Sequence, residues 1–175
     1  MAVSVARTED FPACANIINQ AYAGKDDLGG ISWSHKAKIQ TEPRIDLDKD
    51  EEELINTENQ SVLKYEENGE VLGCVTVKVT EEPNLAYTGT LAVKPSLQAK
   101  GVGTVLLGAA ENWAKEKGCT RMKLTVVDFR QELIEFYKRR GYQDTGEREA
   151  FPDNIPTKAL VPLLIVVLTK SLDCQ

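Results

Sequence analysis

Apolar residues recur along the chain with two periods, and each period predicts one kind of secondary structure. Alternation of apolar and polar residues is typical of half-buried strands, whereas apolar residues three and four apart indicate one face of a helix. Asn68-Gly69 separates two alternating stretches and predicts a hairpin, because a type I′ turn needs positive φ at both central residues. The predicted strands are residues 3–7, 61–66, 71–80, 86–93, 121–127, 142–151 and 160–170, and the predicted helices are residues 11–22, 101–118 and 131–140.

The middle of the chain alternates strand, helix, strand, helix and strand, with hairpins to one side. This order predicts an α/β fold with a mixed sheet that helices cover on both faces. Residues 24–30 predict a loop, and a short, weakly patterned stretch follows them. Residues 46–59 begin with an acidic run and contain the apolar Leu47, Leu54 and Ile55, which predicts a short helix with a solvated face.

The stretch from Leu91 to Leu107 combines the end of a strand, a loop with glycines and the start of a helix. Pro95 cannot donate a ladder hydrogen bond, so strand pairing should stop before it. The first turn of a helix leaves N–H groups unpaired, and Gly101 and Gly103 would let an anion approach that backbone. The stretch therefore predicts a phosphate-binding loop, and the alternative is an ordinary strand-to-helix connection.

Two common nucleotide-binding motifs do not fit the segment QAKGVG at residues 98–103. A dinucleotide fingerprint needs a third glycine at the position of Leu106. A Walker-type P-loop needs Gly-Lys followed by Ser or Thr, whereas Gly103 is followed directly by Thr104. The segment therefore belongs to neither motif.

QAKGVG resembles the Q/R-x-x-G-x-G/A acyl-CoA loop of the GNAT superfamily of acyl-CoA N-acyltransferases. The preceding LAV, the following amphipathic helix, the strand at 121–127 and the segment ELIEFYKRRGY at 132–142 also follow in that superfamily's order. The resemblance implies one GNAT-like domain over residues 1–175, with a mixed, mostly antiparallel sheet of about seven strands that is splayed at its centre. It also implies acetyl-CoA as the co-substrate.

The composition fits a single soluble domain. The 175 residues are enough to bury a core, and 42% hydrophobic with 27% charged residues is ordinary for globular proteins. A net charge of −6 argues against nucleic-acid binding and mildly favours a neutral or cationic substrate. Four scattered cysteines and one histidine support neither a zinc site nor a disulfide framework, so we expect no metal and reduced, mostly buried thiols.

No segment predicts export or insertion into a membrane. Residues 1–10 lack the long apolar core of a signal peptide. The longest apolar run, residues 159–168, is too short for a membrane span, which needs about 20 residues, and Pro162 interrupts it. We therefore expect a cytoplasmic protein without a membrane partner, for which a homodimer is a compatible assembly.

The resemblance implies which residues bind acetyl-CoA. Backbone N–H groups of the loop would hold the pyrophosphate, and Lys100 would add charge. The strand before the loop would bulge near Ala92 and Val93 and polarise the thioester carbonyl, and its splay would form a slot for pantetheine. The implied donor-binding residues are Leu91, Ala92, Val93, Gln98, Ala99, Lys100, Gly101, Val102, Gly103 and Thr104.

Tyr137 matches the family tyrosine that faces the thioester sulfur, and a phenol can donate a proton without carrying charge beforehand. The alternative is a core aromatic on an amphipathic helix, which is the role we expect for Phe136. The cations at 138–140 complement the dipole of a helix C-terminus or, alternatively, contact the 3′-phosphate of CoA.

The general base departs from the family pattern. Many relatives place a glutamate where this chain has Tyr87, and a phenol is a poor base near neutral pH. His35, Glu81, Glu82 or a chain of water molecules are the alternatives. An asparagine that often precedes the later helix is Arg130 here, so its contact with CoA does not carry over.

The acceptor site is expected in the segment after the first helix, residues 24–44, which contains Trp33 and His35. An aromatic ring beside an ionisable group suits an amine. His35 is alternatively structural, in which case the acceptor site would belong to Tyr87 and the loop at 151–157. Some of the acids in 46–59 are alternatively expected to border the acceptor entrance.

These observations predict an N-acetyltransferase that transfers acetyl from acetyl-CoA to the amine of a small molecule by direct attack in a ternary complex. The alternatives are a non-catalytic acyl-CoA-binding sensor and a peptide or protein N-acetyltransferase. O-acetylation and a longer acyl donor also stay open, since the loop specifies only the donor.

Overall fold

The computed structural model describes residues 2–23, 39–41, 45–50, 52–150, 157–159 and 163–173. Within them lie three α-helices and nine strands. The helices are α1 (Phe11–Ala23), α2 (Val102–Glu116) and α3 (Gln131–Lys138). The strands are β1 (Ala2–Val5), β2 (Ile39–Thr41), β3 (Gln60–Glu67), β4 (Glu70–Val79), β5 (Leu85–Val93), β6 (Arg121–Val127), β7 (Gln143–Ala150), β8 (Thr157–Ala159) and β9 (Leu164–Ser171).

Seven strands form one sheet in the order β1-β3-β4-β5-β6-β9-β7. Every neighbouring pair is antiparallel except β5 and β6, which are parallel and are connected through α2. The predicted mixed, mostly antiparallel sheet of about seven strands is therefore confirmed. A separate antiparallel pair, β2 with β8, was not predicted, because both segments are only three residues long and lie in weakly patterned sequence.

Helices cover both faces of the sheet, as predicted. Alternating residues of β3 show this, since Val62 packs into a core with Cys14 and Ile18 of α1, whereas Leu63 packs into a second core with α2. The second core also receives Ile134 of α3. The sheet is thus a central layer with α1 on one face and α2 with α3 on the other.

The hairpin between β3 and β4 turns at Asn68 and Gly69, with φ of 51° and 80°. Both values are positive, so the type I′ prediction is confirmed. The cysteines that the structure describes, Cys14, Cys74 and Cys119, are buried free thiols, as expected. No helix among the described residues is both long and apolar enough to cross a bilayer.

The short helix predicted for residues 46–59 is wrong for the described part of that segment, which forms turns. The carboxylate of Asp50 accepts from the N–H of Asp46 at 2.7 Å, and that of Asp46 accepts from the N–H of Asp48 at 3.1 Å. Such local side-chain bonds compete with the helical ladder. The acidic side chains therefore stabilise turns rather than a helix. Leu54 is the residue of this segment that is buried in the core.

Candidate functional site

A cleft opens in the middle of the sheet because β5 and β6 pair over only three residues. Their parallel register runs from Leu85 opposite Arg121 to Tyr87 opposite Lys123 and then stops, although both strands continue. The gap leads into a cavity of about 1480 Å³ that runs from the start of α2 to the side of β4 and β6. The predicted splay of the sheet is therefore present.

A β-bulge lies at the beginning of this gap. Val75 pairs with Leu91 and Val77 pairs with Thr88, so Gly89 and Thr90 on β5 face a single residue of β4, Thr76. A Cβ on Gly89 would lie 2.4 Å from Thr76 Oγ1, so any larger residue would force the Thr76 side chain or the strand to shift. A bulge bends its strand and increases twist.

The bulge was expected near Ala92 and Val93, and this position is wrong. Those two residues pair regularly with Cys74 and Gly73 of β4. The physical reason is local. Gly89 permits the close approach to Thr76 that the bulge requires, whereas Ala92 is already packed in the core beside α1. Leu91, Ala92 and Val93 nevertheless line the cleft.

One end of the cleft is the start of α2. Gly101 caps the helix with a left-handed φ of 87°, and its carbonyl accepts from the N–H groups of Thr104 and Val105 at 3.0 and 3.1 Å. The N–H groups before Thr104 lie in the first turn, ahead of the helical ladder. Among the predicted loop residues, the ones that line the cleft are Gln98, Ala99, Gly101, Gly103 and Thr104.

Two predicted donor residues lie away from the lining. Lys100 is exposed, and Val102 is buried in the core that α2 forms with the sheet. Gly103, in contrast, lines the cleft. A Cβ added there would lie 3.6 Å from the Phe136 ring, which is an ordinary van der Waals distance. The glycine therefore keeps the path to the helix start open rather than relieving a clash.

Arg140 supplies a cation at this end that the loop motif does not contain. Its guanidinium donates to Thr104 Oγ1 from Nε at 3.0 Å and to the Phe136 carbonyl from Nη1 at 2.7 Å. It also stacks on the Phe136 ring at 3.5 Å from the centroid. Burial, with a smaller contribution from Arg139, lowers the pKa of Arg140 below its ordinary value, although a guanidinium stays protonated in proteins.

The cation run at the end of α3 therefore divides into two groups. Arg139 and Arg140 line the cleft, whereas Lys138 pairs with Glu135 at 3.2 Å on the surface. Arg130, which stands where the family asparagine is common, also lines the cleft and pairs with Glu132 at 2.6 Å. The end of the cleft at the start of α2 is thus richer in cations than the loop alone suggested.

Tyr137 is buried in the core, with 5% of its surface exposed. Its ring contacts those of Phe136 and Tyr142 edge-on, at centroid distances of 5.2 and 5.8 Å. Among the described residues of α3 that line the cleft are Phe136 and Leu133, but not Tyr137. The expectation that Phe136 is a core residue is therefore only partly met, since that ring also lines the cleft.

The other end of the cleft is a polar surface on the sheet. Tyr87 lies where the pairing of β5 and β6 ends, and its hydroxyl lies 3.0 Å from Thr125 Oγ1. Lys78 stands opposite Tyr87 on β4, with its ammonium 5.7 Å from the ring centroid, and Lys123 stands opposite it on β6. All four residues line the cavity.

Carboxylates surround this end. Glu82 forms an ion pair with Arg121 at 2.6 Å, and Glu149 forms one with Lys123 at 3.2 Å. The side-chain amide of Gln60 donates to the Glu52 carbonyl at 2.9 Å and holds the 52–54 turn beside the cleft. The acids that line this end are Glu52, Glu53, Glu81, Glu82 and Glu149, so the alternative interpretation of the acidic segment agrees with the position of Glu52 and Glu53.

Sequence patterns missed Lys78, Lys123, Thr125 and Glu149, because they come from three separate strands and each appears as an ordinary polar residue in an alternating strand. Trp33, His35 and residues 151–156 lie outside the described residues. Within the described chain no group of three or more His, Cys, Asp or Glu side chains is arranged to hold a metal ion.

A family model described as the acetyltransferase (GNAT) family matches residues 28–142. An uncharacterized N-acetyltransferase of Bacillus subtilis, YhfO, is 25% identical over 165 residues, which cover 90% of this chain and all of that protein. The thialysine N-epsilon-acetyltransferase of Bos taurus is 31% identical over 65 residues, 37% of this chain and 38% of that protein. The match thus spans less than half of the Bos taurus protein, and it also spans only 46% of the B. subtilis protein YdhI, which is 34% identical over 77 residues.

Solved structures agree on the architecture. The ribosomal-protein-S18-alanine N-acetyltransferase of Escherichia coli superposes with a TM-score of 0.69 at 17% identity, over 99% of this chain and 95% of that one. A proposed streptothricin acetyltransferase of Bacillus anthracis, solved with acetyl coenzyme A, superposes with a TM-score of 0.60 at 21% identity, over 71% and 69% of the two chains. At such identities the similarity shows the fold.

Proposed function

Since the chain belongs to the acetyltransferase (GNAT) family, we propose that it transfers acetyl from acetyl-CoA to the amine of a small molecule by direct attack in a ternary complex. The observation that carries the proposal is one continuous cleft through the gap between β5 and β6, with a helix start at one end and an open polar surface at the other. A donor and an acceptor can occupy such a cleft together.

The donor would lie along the gap, with its pyrophosphate at the start of α2. Three features support this placement. Gly101 and Gly103 leave the first helical turn accessible, the helix dipole favours an anion, and Arg140 adds a cation beside Thr104. Pantetheine would then follow the unpaired edge of β5, where Leu91, Ala92 and Val93 line the cleft.

In the reaction, the amine nitrogen attacks the thioester carbonyl carbon, the C–S bond breaks, the amine loses a proton and the thiolate gains one. We propose that Tyr137 gives the proton to the thiolate, on the strength of its motif position. Its phenol is buried against Phe136 and Tyr142, and Phe136 lines the cleft, so the proposed transfer requires the Tyr137 hydroxyl to become accessible from the cleft when the donor binds. Neutral phenol is a suitable acid for a departing thiolate.

The proton of the amine has several candidate acceptors. Tyr87 lies at the polar end but its hydroxyl is engaged with Thr125, and Glu82 is engaged with Arg121. Glu81 lines the same end, so a water chain ending at its carboxylate is the proposed route. His35 stays a candidate base, and Trp33 with His35 are proposed to line the acceptor side, which Ala replacement would test through the acceptor KM.

The alternative is an acyl-CoA-binding module without turnover. The burial of Tyr137 and the presence of Tyr87 in place of the family glutamate favour it. The experiment that separates the two functions is the release of free thiol from acetyl-CoA with a panel of amines, amino acids and peptides. Calorimetry for acetyl-CoA accompanies it, so that binding without thiol release identifies the module.

A cytoplasmic location and a homodimer belong to the same proposal. Light scattering of the purified protein at several concentrations measures the assembly directly. Addition of acetyl-CoA to the same samples then shows whether the assembly depends on the donor.

A further inference from the structure

Three residues form a row across the floor of the cleft at its polar end. Lys78 on β4 is in register with Tyr87 on β5, and Tyr87 is in register with Lys123 on β6. Residues in register on neighbouring strands project from the same face of a sheet. Two ammonium groups therefore flank one phenol on the face that lines the cleft.

The two lysines are not equally neutralised. Lys123 pairs with Glu149 at 3.2 Å, and 49% of that glutamate side chain is exposed. Lys78 instead lies over the Tyr87 ring, and no described carboxylate is within ion-pair distance of its ammonium. The row thus carries two positive charges and one partly solvated negative charge.

Neutral hydrogen-bonding groups complete the floor. Gln60 of β3 is in register with Lys78. Thr76 lies two residues before Lys78 on β4, and the Thr125 hydroxyl bonds to that of Tyr87. All line the cleft, and none can balance a cation. A ligand carboxylate placed over Tyr87 would meet both ammonium groups.

We propose that the acceptor amine also carries a carboxylate, which Lys78 and Lys123 bind on either side of Tyr87. The acceptor is then an amino acid or a molecule of similar chemistry. This inference rests on the proposed N-acetyltransferase function and specifies the acceptor class for the same site.

The same end of the cleft is also lined by the carboxylates of Glu52, Glu53, Glu81 and Glu82, of which Glu82 pairs with Arg121. These acids attract the ammonium of an acceptor, whereas the two lysines attract its carboxylate. A zwitterionic amino acid would therefore meet a group of opposite charge for each of its own charges.

The test compares acceptors that differ only by a carboxylate. Thiol release from acetyl-CoA is measured with L-lysine against cadaverine and with L-methionine against 3-(methylthio)propylamine. We expect kcat/KM to be at least about tenfold higher for the amino acid of the preferred pair, the effect of one or two charge-assisted contacts. Lys78→Met and Lys123→Met should each reduce that ratio by about tenfold, mainly through the KM of the amino acid.

Lys115→Met is the matched control, because Lys115 is an exposed lysine on α2 away from the cleft. It should leave the ratio unchanged, and thermal denaturation should show all three variants folded. Equal kcat/KM within both pairs, or an unchanged ratio in Lys78→Met, overturns the carboxylate proposal while leaving the N-acetyltransferase function intact. Absence of thiol release with every amine, with acetyl-CoA bound by calorimetry, overturns both.

Discussion

The two ends of the cleft are lined by different kinds of chemical group. The proposed donor end is formed by main-chain groups of one short segment, residues 91–104, together with the Arg140 side chain, which follows α3. The proposed acceptor end is lined by side chains from five strands, β3 to β7, with Tyr87 at their centre. A site made of main-chain groups requires glycines at particular positions, so it can be recognised as a short sequence motif. A site made of side chains has no such motif, because each residue can be substituted while the sheet keeps its structure.

The largest effect should come from closing the donor end. Gly103→Glu places a carboxylate beside the start of α2, where the pyrophosphate would lie, and like charges repel. We expect the Kd for acetyl-CoA to rise by roughly 100-fold or more in a folded protein. Isothermal titration calorimetry measures the Kd.

Gly108→Glu is the matched control, since Gly108 lies five residues further along α2 and a Cβ there meets nothing within 4 Å. It introduces the same charge on the same helix and should keep acetyl-CoA binding. If a folded Gly103→Glu protein binds acetyl-CoA as tightly as this control, the donor site lies elsewhere.

The second effect concerns Tyr137, the proposed proton donor. Tyr137→Phe should lower kcat by roughly 100-fold with little change in acetyl-CoA affinity, because general-acid assistance is of that order. Tyr142→Phe is the control, since Tyr142 is another buried phenol and its hydroxyl donates to Glu111 at 3.0 Å. Steady-state kinetics with kcat within threefold of the wild type would make Tyr137 a packing residue.

A smaller effect is expected where a side chain supplements the main-chain site. Arg140→Gln removes the cation that contacts Thr104, and the Kd for acetyl-CoA should rise by about tenfold, as for one charge-assisted contact. The difference in Kd between this variant and the wild type should decrease as salt is added, because salt screens the attraction between Arg140 and the donor in the wild type. Binding that is unchanged at low salt would show that Arg140 only stacks on Phe136.

The smallest effect is expected for the Tyr87 hydroxyl at the polar end of the cleft. Tyr87→Phe deletes the hydrogen bond to Thr125, and kcat/KM for the acceptor should fall by about fivefold, the size of one neutral hydrogen bond. Acetyl-CoA affinity should stay the same, which calorimetry checks. A change confined to the donor Kd would place Tyr87 with the donor end instead.

The fold and the loop that leads into α2 were largely predictable from local patterns. Alternation marked the strands, and Asn68-Gly69 marked the hairpin, because positive φ at two successive positions is a rare requirement. The segment after Val93 was predictable for a similar reason, since Pro95 ends the strand and Gly101 begins the helix. In each case the physical constraint acts within a few residues.

The polar end of the cleft was not predictable, because its residues meet only through strand register. Lys78 and Lys123 are 45 positions apart, and nothing near either one indicates that Tyr87 lies between them. The bulge at Gly89 was misplaced for the same reason, since it depends on the contact with Thr76 across the ladder. The acidic segment was misjudged as a helix because Asp46 and Asp50 bind backbone groups within it.

The three-residue junction between β5 and β6 has a consequence for thermal stability. Beyond Tyr87 and Lys123 the facing edges of these strands make no ladder bonds to each other, so the sheet consists of two antiparallel halves joined by a short parallel ladder. A ligand that bound to both edges would hold the halves together. At 100 times its Kd such a ligand stabilises the native state by about 2.7 kcal/mol, which raises the melting temperature of a domain of this size by roughly 5–10 °C.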